Sequence, residues 1–439
     1  MNIEKINEDQ QRGFDAIVEF VKGPLRTLVL KGIAGTGKST LIQWIASAFH
    51  GDRLFVFTAP TNKATKVLRD MNRQQGAGVS SVCTIHSLLG LVLTPEGAIK
   101  TLKTSRERDE LSYADVVVID ESSMIGLEMT QRIEAVLETY PKLKIIYMGD
   151  PMQLPPIGED ESPVFETSQV TVELTEITRQ AQGNPIIALC ASIRDSIVAG
   201  ERLFKLETTK TPEGHGIFCL PRRVFIDWSR KAYSSAAYKE DPNSFKTIAW
   251  RNVTVDDSND LIRRALYPAR PDGSMEAFMP YERVVVAAPV SDQWGNEILA
   301  HTDSEGVVVS KELLPQHPWV KAHGDFKVFK LAVDFYGMGT VPCYALHPDS
   351  ERDYKKTLSK LSKQAHKQSS LWGSFWAFKD AFHDVRYAHA VTSHRSQGST
   401  YETVFVKPGD ILLNRNRVEA FKSLYVACSR ASKNLIILD

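Results

Sequence analysis

The chain has 439 residues, too many for one core of ordinary size, and its 43% hydrophobic and 24% charged content is that of a globular protein. Basic and acidic residues number 53 each, so the formal charge is zero, which excludes a global basic field and leaves only local grooves for a polyanion. Cys83, Cys190, Cys219, Cys343 and Cys428 are scattered without a C-x-x-C, and no apolar run approaches about 18 residues, so a disulfide framework, a cysteine zinc site and a membrane span are all excluded.

The amino terminus, M-N-I-E-K-I-N-E-D-Q, is polar and lacks a signal-peptide pattern. A reducing, cytoplasmic compartment is therefore expected. Length alone suggests roughly three domains.

Leu28-Val29-Leu30 is an apolar strand, and Gly32 to Thr40 follows it as G-I-A-G-T-G-K-S-T. That fits G-x-x-x-x-G-K-[ST] in its strand–loop–helix context and predicts nucleoside triphosphate binding. Backbone N–H groups of Gly32, Ala34, Gly35, Thr36, Gly37 and Thr40 can cradle phosphate oxygens. Lys38 can reach the outer phosphates, and the Ser39 hydroxyl can ligate Mg²⁺. The helix that begins near Lys38 turns its positive end toward the same anion.

Further strands are expected at Leu54–Phe57, Val116–Ile119 and Ile145–Met148, alternating with amphipathic stretches at Thr40–Phe49 and Asn62–Met71. This alternation predicts a parallel α/β sheet whose ligand lies at the carboxyl ends of the strands. Gly90–Glu110 breaks the pattern and reads as a hairpin with its turn near Pro95-Glu96-Gly97. V-V-V-I-D-E ends in paired carboxylates: Asp120 suits Mg²⁺, and Glu121 can polarise an attacking water. In M-G-D-P-M-Q, Gln153 can touch a γ-phosphate or orient water. Arg179 and Arg430 are the candidate arginines for the γ-phosphate.

Helices are expected at Ile186–Ile197 and Asn252–Tyr267, with a strand at Phe245–Trp250 between them. From Pro280 to Leu346, short strands spaced by Gly, Pro and Asp read as a small barrel. Ser350–Lys367 is a basic helix with Lys356, Lys360, Lys363 and Lys367 on one face, either solvated or laid along nucleic acid. The aromatic run Trp372 to Phe378 reads as core packing between domains, with base stacking as the alternative. Val385–Thr392 and Thr403–Val406 return to buried-strand texture. The simplest architecture is two α/β sheets, the second interrupted by an all-β insertion.

Three polar loops follow strands: A-P-T-N-K at Ala59–Lys63, T-I-H at Thr84–His86, and V-T-S-H-R-S-Q-G at Val391–Gly398. Such Thr, Asn and His residues either cap helices or hold phosphodiester oxygens.

Taken in order, these segments resemble the superfamily 1 helicases of the RecD-like and phage Dda-type branch, which moves 5′ to 3′ on DNA. V-T-S-H-R-S-Q-G paired with Y-V-A-C-S-R at Tyr425–Arg430 is the most specific part, and the resemblance spans nearly the whole chain. It implies two RecA-like P-loop NTPase domains in an α/β fold, with a β-hairpin inserted in the first and an SH3-like β-barrel in the second. The first domain would span 1–185 with a pin at 88–112. The second would comprise 186–279 and 385–439, with 280–384 as its insertion.

The resemblance further implies that Gln10 contacts adenine. Gln153, Arg179, Gly398 and Arg430 would sense the γ-phosphate. Pro60, Thr61, Asn62, Thr84, His86, Thr392 and His394 would contact DNA. ATP and Mg²⁺ are the implied cofactors. Single-stranded and forked DNA are the implied partners, with single-strand-binding or replication proteins beside them, for a monomer in replication, repair or recombination. The pin here has no aromatic residue, so Ile99 and Leu102 are its candidate apolar wedge. A DNA-stimulated translocase that separates strands poorly is the alternative.

Overall fold

The computed structural model describes residues 6–75, 79–93, 99–101, 109–176, 183–241, 243–292, 298–336 and 338–439. It resolves into two compact units. The first comprises Met1–Ser229, Ala236–Asn252 and Thr392–Asp439; the second comprises Arg230–Ser235 and Val253–Val391.

The first unit holds two sheets. In spatial order the first runs Val79–Thr84, Phe55–Ala59, Val116–Ile119, Lys144–Gly149, Thr27–Gly32 and Val170–Leu174, and every pairing is parallel. All four expected strands are present. Val116–Ile119 is buried at each position, as a strand covered on both faces should be. The register sets Lys31 beside Gly149 and Ile119 beside Tyr147, so the P-loop, Asp120 and Asp150 leave the sheet at one edge. Ile17, Leu41, Ile42, Ile45 and Leu68 fill one face, and Ile85, Ile125, Ile133 and Phe165 the other.

In the second sheet, Phe245–Ala249, Tyr401–Val406, Ala431–Leu438 and Gly216–Leu220 are parallel neighbours, and Thr209–Lys210 pairs antiparallel at the edge. Leu91–Leu93 and Ile99–Thr101 pair as an antiparallel hairpin. Its expected turn at Pro95–Gly97 lies outside the described residues.

The second unit is built on an antiparallel sheet ordered Gly339–Leu346, Val328–Phe335, Glu305–Leu314, Arg283–Val286 and Val385–Tyr387. Val284, Val308, Leu331, Val333 and Cys343 form its core. The run expected as one strand over Val385–Thr392 is two. Val385–Tyr387 joins the antiparallel sheet, Ala388 N–H donates to Arg283 O, and Ala390–Thr392 follows separately. The aromatic run from Trp372 forms a helix, Trp372–Asp380, that buries Phe375 and Phe378. Among the described residues no helix is long and apolar enough to cross a membrane.

Candidate active site

The P-loop joins the strand Thr27–Gly32 to the helix Lys38–Ala48. Gly37 caps that helix at φ 80°, in the left-handed region where glycine carries no side-chain penalty. Lys38 Nζ donates to Gly32 O at 2.6 Å and Ile33 O at 3.1 Å, which holds its charge inside the loop. Gln10 is buried near the start of the helix Glu8–Lys22 and donates from Nε2 to Thr36 O at 3.0 Å. Beside it, Asp9 accepts from Thr175 N at 2.6 Å and Glu176 N at 3.1 Å, which ties this helix to the end of the strand Val170–Leu174.

Ser39 Oγ lies 3.4 Å from Asp120 Oδ2, and Asp120 Oδ1 accepts from Glu121 N at 2.8 Å. One hydroxyl and one carboxylate oxygen fit a small hard cation that keeps several waters, such as Mg²⁺. Among the described residues no group of three or more His, Cys, Asp and Glu side chains forms a metal cluster of its own. Glu121 has φ 50°, uncommon for a residue with a side chain, and this turn aims it differently from Asp120. Burial and the charges of Asp120 and Asp150 push the Glu121 carboxyl above its ordinary range, although Arg430 and Lys38 pull it down.

Residues of the second sheet reach the same place. Gly398 has φ 71°, and a Cβ there would lie 3.2 Å from Ala64 Cβ and 3.6 Å from Glu121 Oε1. Arg430 is buried and donates to Val426 O, Ser399 O and Ser429 Oγ, while its charge still acts on Glu121. Tyr425 donates to Asp150 Oδ2 at 2.6 Å, and Gln397 Nε2 donates to Leu154 O at 3.4 Å. Gln153 is buried, and its Oε1 has no hydrogen-bond partner among the described residues. An orphaned acceptor in this position suits an ordered water or a donor on a ligand. Between the P-loop backbone at Ile33–Gly35 and Cys190, Arg194 and Thr400 a pocket opens. Burial pushes the Cys190 thiol up to about 12, so it is no nucleophile at neutral pH.

Asp150 stands at the strand edge where the P-loop and Asp120 are expected to converge, while Arg194, Gln397 and Tyr425 adjoin this place without a role assigned to them from the sequence. Gln397 and Tyr425 stand inside segments that the sequence does single out, one residue before Gly398 and five before Arg430. Arg194 is four residues beyond Cys190 on one helix face, a signal only once Cys190 is known to face the pocket. Arg179 and Leu102 lie outside the described residues. The backbone of Ile99 pairs with Leu93.

The threonines of the polar loops all cap helices. Thr61 Oγ1 accepts from Ala64 N, Thr84 Oγ1 from Ser87 N, and Thr392 Oγ1 from Arg395 N. Each hydroxyl hydrogen stays available to donate, because capping uses only a lone pair. Pro60, Thr61, Asn62, His86 and His394 are half-buried. Lys63 Nζ donates to the Tyr401 hydroxyl at 2.9 Å, and Ala64 abuts Gly398, so the Ala59–Lys63 loop adjoins the second sheet. Burial lowers the pKa of His86, and of His394 in spite of Glu419.

Two family descriptions match the chain: "AAA domain" over residues 5–209 and "UvrD-like helicase C-terminal domain" over residues 387–438. An uncharacterised protein of Acanthamoeba polyphaga mimivirus, R530, is 27% identical, with 98% of this chain and 99% of the relative covered. The ATP-dependent DNA helicase Dda of enterobacteria phage T4 is 24% identical over 92% of this chain and 93% of its own. Among solved structures, Pif1 helicase from Bacteroides in complex with ADP-AlF3 and single-stranded DNA shares the fold. Its TM-score is 0.55 at 17% identity, over 99% of this chain and 92% of that one. Both family matches fall on the segments that meet at Glu121, Gly398 and Arg430, and over nearly its whole length the chain is similar to a superfamily 1 helicase of the Dda type.

Proposed function

We propose that this protein is an ATP-driven DNA helicase that translocates 5′ to 3′ on single-stranded DNA and unwinds duplex DNA. The observation that carries the reading is the meeting of Glu121 from the first sheet with Gly398 and the charge of Arg430 from the second. Glu121 accepts a proton from the attacking water, Lys38 and Arg430 stabilise charge on the outer phosphate, and Gln153 orients the water. Mg²⁺ held by Ser39 and Asp120 would neutralise phosphate charge. A nucleotide that touches both sheets favours one arrangement of them, and hydrolysis removes that preference.

The resemblance supports the remaining assignments. They are RecA-like domains over 1–185 and over 186–279 with 385–439, an SH3-like insertion over 280–384, a pin over 88–112, and Arg179 at the γ-phosphate. The loops bearing Pro60, Thr61, Asn62, Thr84, His86, Thr392 and His394 would hold the DNA backbone. The direction of travel rests on that resemblance alone.

The test is ATP hydrolysis with and without single-stranded DNA, followed by unwinding of 5′- and 3′-tailed duplexes. Lys38→Ala abolishes both activities if the reading is right. Unwinding only from a 3′ tail would reverse the direction. The absence of any aromatic residue from 88–112 favours a second reading, a translocase that separates strands poorly. DNA-stimulated hydrolysis without unwinding from either tail would select it.

A further inference from the structure

The helix Glu351–Lys367 of the second unit is divided lengthwise. Tyr354, Leu358 and Leu361 pack on Val320, Phe326, Phe378 and Ala381, and Ala365 is buried on the same side. Lys356, Lys360, Lys363 and Lys367 recur at intervals of four, three and four, which places them together on the side opposite that apolar stripe. All four are exposed, and exposed Arg352 flanks the row. At a rise of 1.5 Å per residue the four lysines span roughly 16 Å of a straight element.

None of these five cations has a carboxylate partner among the described residues. Elsewhere in the unit Lys311 faces Glu276, Lys327 faces Asp349 and Lys330 faces Glu312, and on this helix itself Lys355 faces Glu351. Like charges three and four positions apart repel one another and weaken a helix. A row of four in register, held against that cost and left without counter-charges, is complementary to a polyanion. The row offers point charges and no stacking platform. Trp372 and Trp376 stack on each other with ring centroids 5.9 Å apart, and Phe375 edges both. His366 closes against Trp372, and Lys379 lies over Trp376.

We propose that this face is a second DNA contact, which lies along the phosphate backbone of the duplex arm of a DNA substrate. Duplex DNA presents about one charge per 1.7 Å of axis and asks only for cations on a straight support. A single strand would call for the open aromatic faces that the two tryptophans do not provide. The proposal rests on the reading of the chain as a DNA enzyme, and its test separates the two.

The test compares the wild type with the variant Lys356→Gln/Lys360→Gln/Lys363→Gln/Lys367→Gln. Glutamine keeps helix propensity and removes charge. Binding of a blunt duplex and of oligo-dT is measured by anisotropy between about 50 and 200 mM salt. The expected result is a duplex salt slope shallower by about 3 to 4, at ~0.9 for each phosphate no longer neutralised. Oligo-dT binding and DNA-stimulated hydrolysis stay unchanged. An unchanged duplex slope overturns the proposal. Equal losses on duplex and oligo-dT also overturn it, and make the face a single-strand track. A wild type that binds duplex through these lysines but hydrolyses no ATP would leave this DNA-binding face standing and remove the helicase reading.

Discussion

Tyr425 donates its hydroxyl hydrogen to Asp150 Oδ2 across 2.6 Å, joining the helix Arg417–Ser429 to the strand end of the first sheet. Both residues are buried, and burial with the Asp150 charge holds the phenol well above its ordinary pKa, so it stays a donor. Tyr425→Phe keeps the ring and deletes the donor, while Asp150 keeps its bond from Met152 N. The expected cost is about 1.5–3 kcal/mol in urea unfolding, as for a hydrogen bond to a charged group. The kcat for ATP should fall several-fold at unchanged affinity for DNA. An unchanged kcat would reduce the bond to a brace.

Glu121→Gln should lower ATP hydrolysis by on the order of 10²–10⁴-fold and leave nucleotide binding intact, as expected on losing a general base. With Glu121 proposed as the base, its carboxyl, held above the ordinary range by burial and by Asp120, should set the acid limb of the rate. Below its pKa the carboxyl is protonated and cannot accept a proton, so kcat/KM falls as pH falls through it. Because the shift is upward, the stability linked to this group is present below its unfolded pKa and is lost as pH rises through the folded one. A limb at the ordinary carboxylate pKa would contradict the assignment.

Gly398→Ala puts a methyl group 3.2 Å from Ala64 Cβ at a φ of 71°. The left-handed backbone alone costs a residue with a side chain roughly 1–2 kcal/mol. Thermal unfolding should record that loss. DNA-stimulated hydrolysis should fall further than basal hydrolysis, since Gly398 adjoins both Glu121 and the Ala59–Lys63 loop.

His86 and His394 should be neutral at pH 7, because burial lowers both. Oligo-dT affinity of the wild type and of His86→Gln/His394→Gln should run parallel from about pH 8 to about 6.5, where an ordinary imidazole begins to gain charge. A wild-type gain over that span, absent from the variant, would show that they bind as cations.

In the second unit, Arg263 Nε donates to Glu282 Oε1 at 2.5 Å with both side chains buried, and the Tyr387 ring lies 3.8 Å from the guanidinium. Arg263→Ala leaves the carboxylate unpaired and should cost about 3–5 kcal/mol by denaturant titration. Burial raises the Glu282 pKa, but hydrogen bonds from His389 and Arg263 outweigh it, so the net shift is downward. The contribution is therefore present above the unfolded pKa and disappears as pH falls through the folded one.

Local chemistry was readable in the sequence itself, whereas the meeting of Gly398 and Arg430 with the P-loop segment was only what the resemblance implied. Leu28 to Leu30 announces a buried strand, and the glycines after it announce a phosphate loop, because both depend on neighbours in the chain. Asp150 and Tyr425 stand 275 positions apart, and nothing in either segment says that they touch. The reversed φ of Glu121 is equally silent, since the residue does not favour that conformation by itself. Val385–Thr392 misled as a single strand because an apolar run records burial and not which sheet buries it. Helix capping and phosphate binding ask for the same kind of side chain at Thr61, Thr84 and Thr392, and the structure satisfies the capping geometry in all three.

The order of strands in the second sheet carries a consequence for synthesis. Ala431–Leu438 lies between Tyr401–Val406 and Gly216–Leu220, so a sheet begun early has its middle filled by a strand made much later. Nearly all of the second unit, from Val253 to Val391, emerges in between and needs no later segment for its antiparallel sheet. On the ribosome that unit can fold while Gly216–Leu220 still waits for its neighbour. Arg430 stands one residue before Ala431–Leu438, so the proposed nucleotide site is completed only when that strand docks. A nascent chain that stalls earlier carries a finished P-loop without the arginine opposite it, and has an open sheet edge exposed to chaperones and to aggregation.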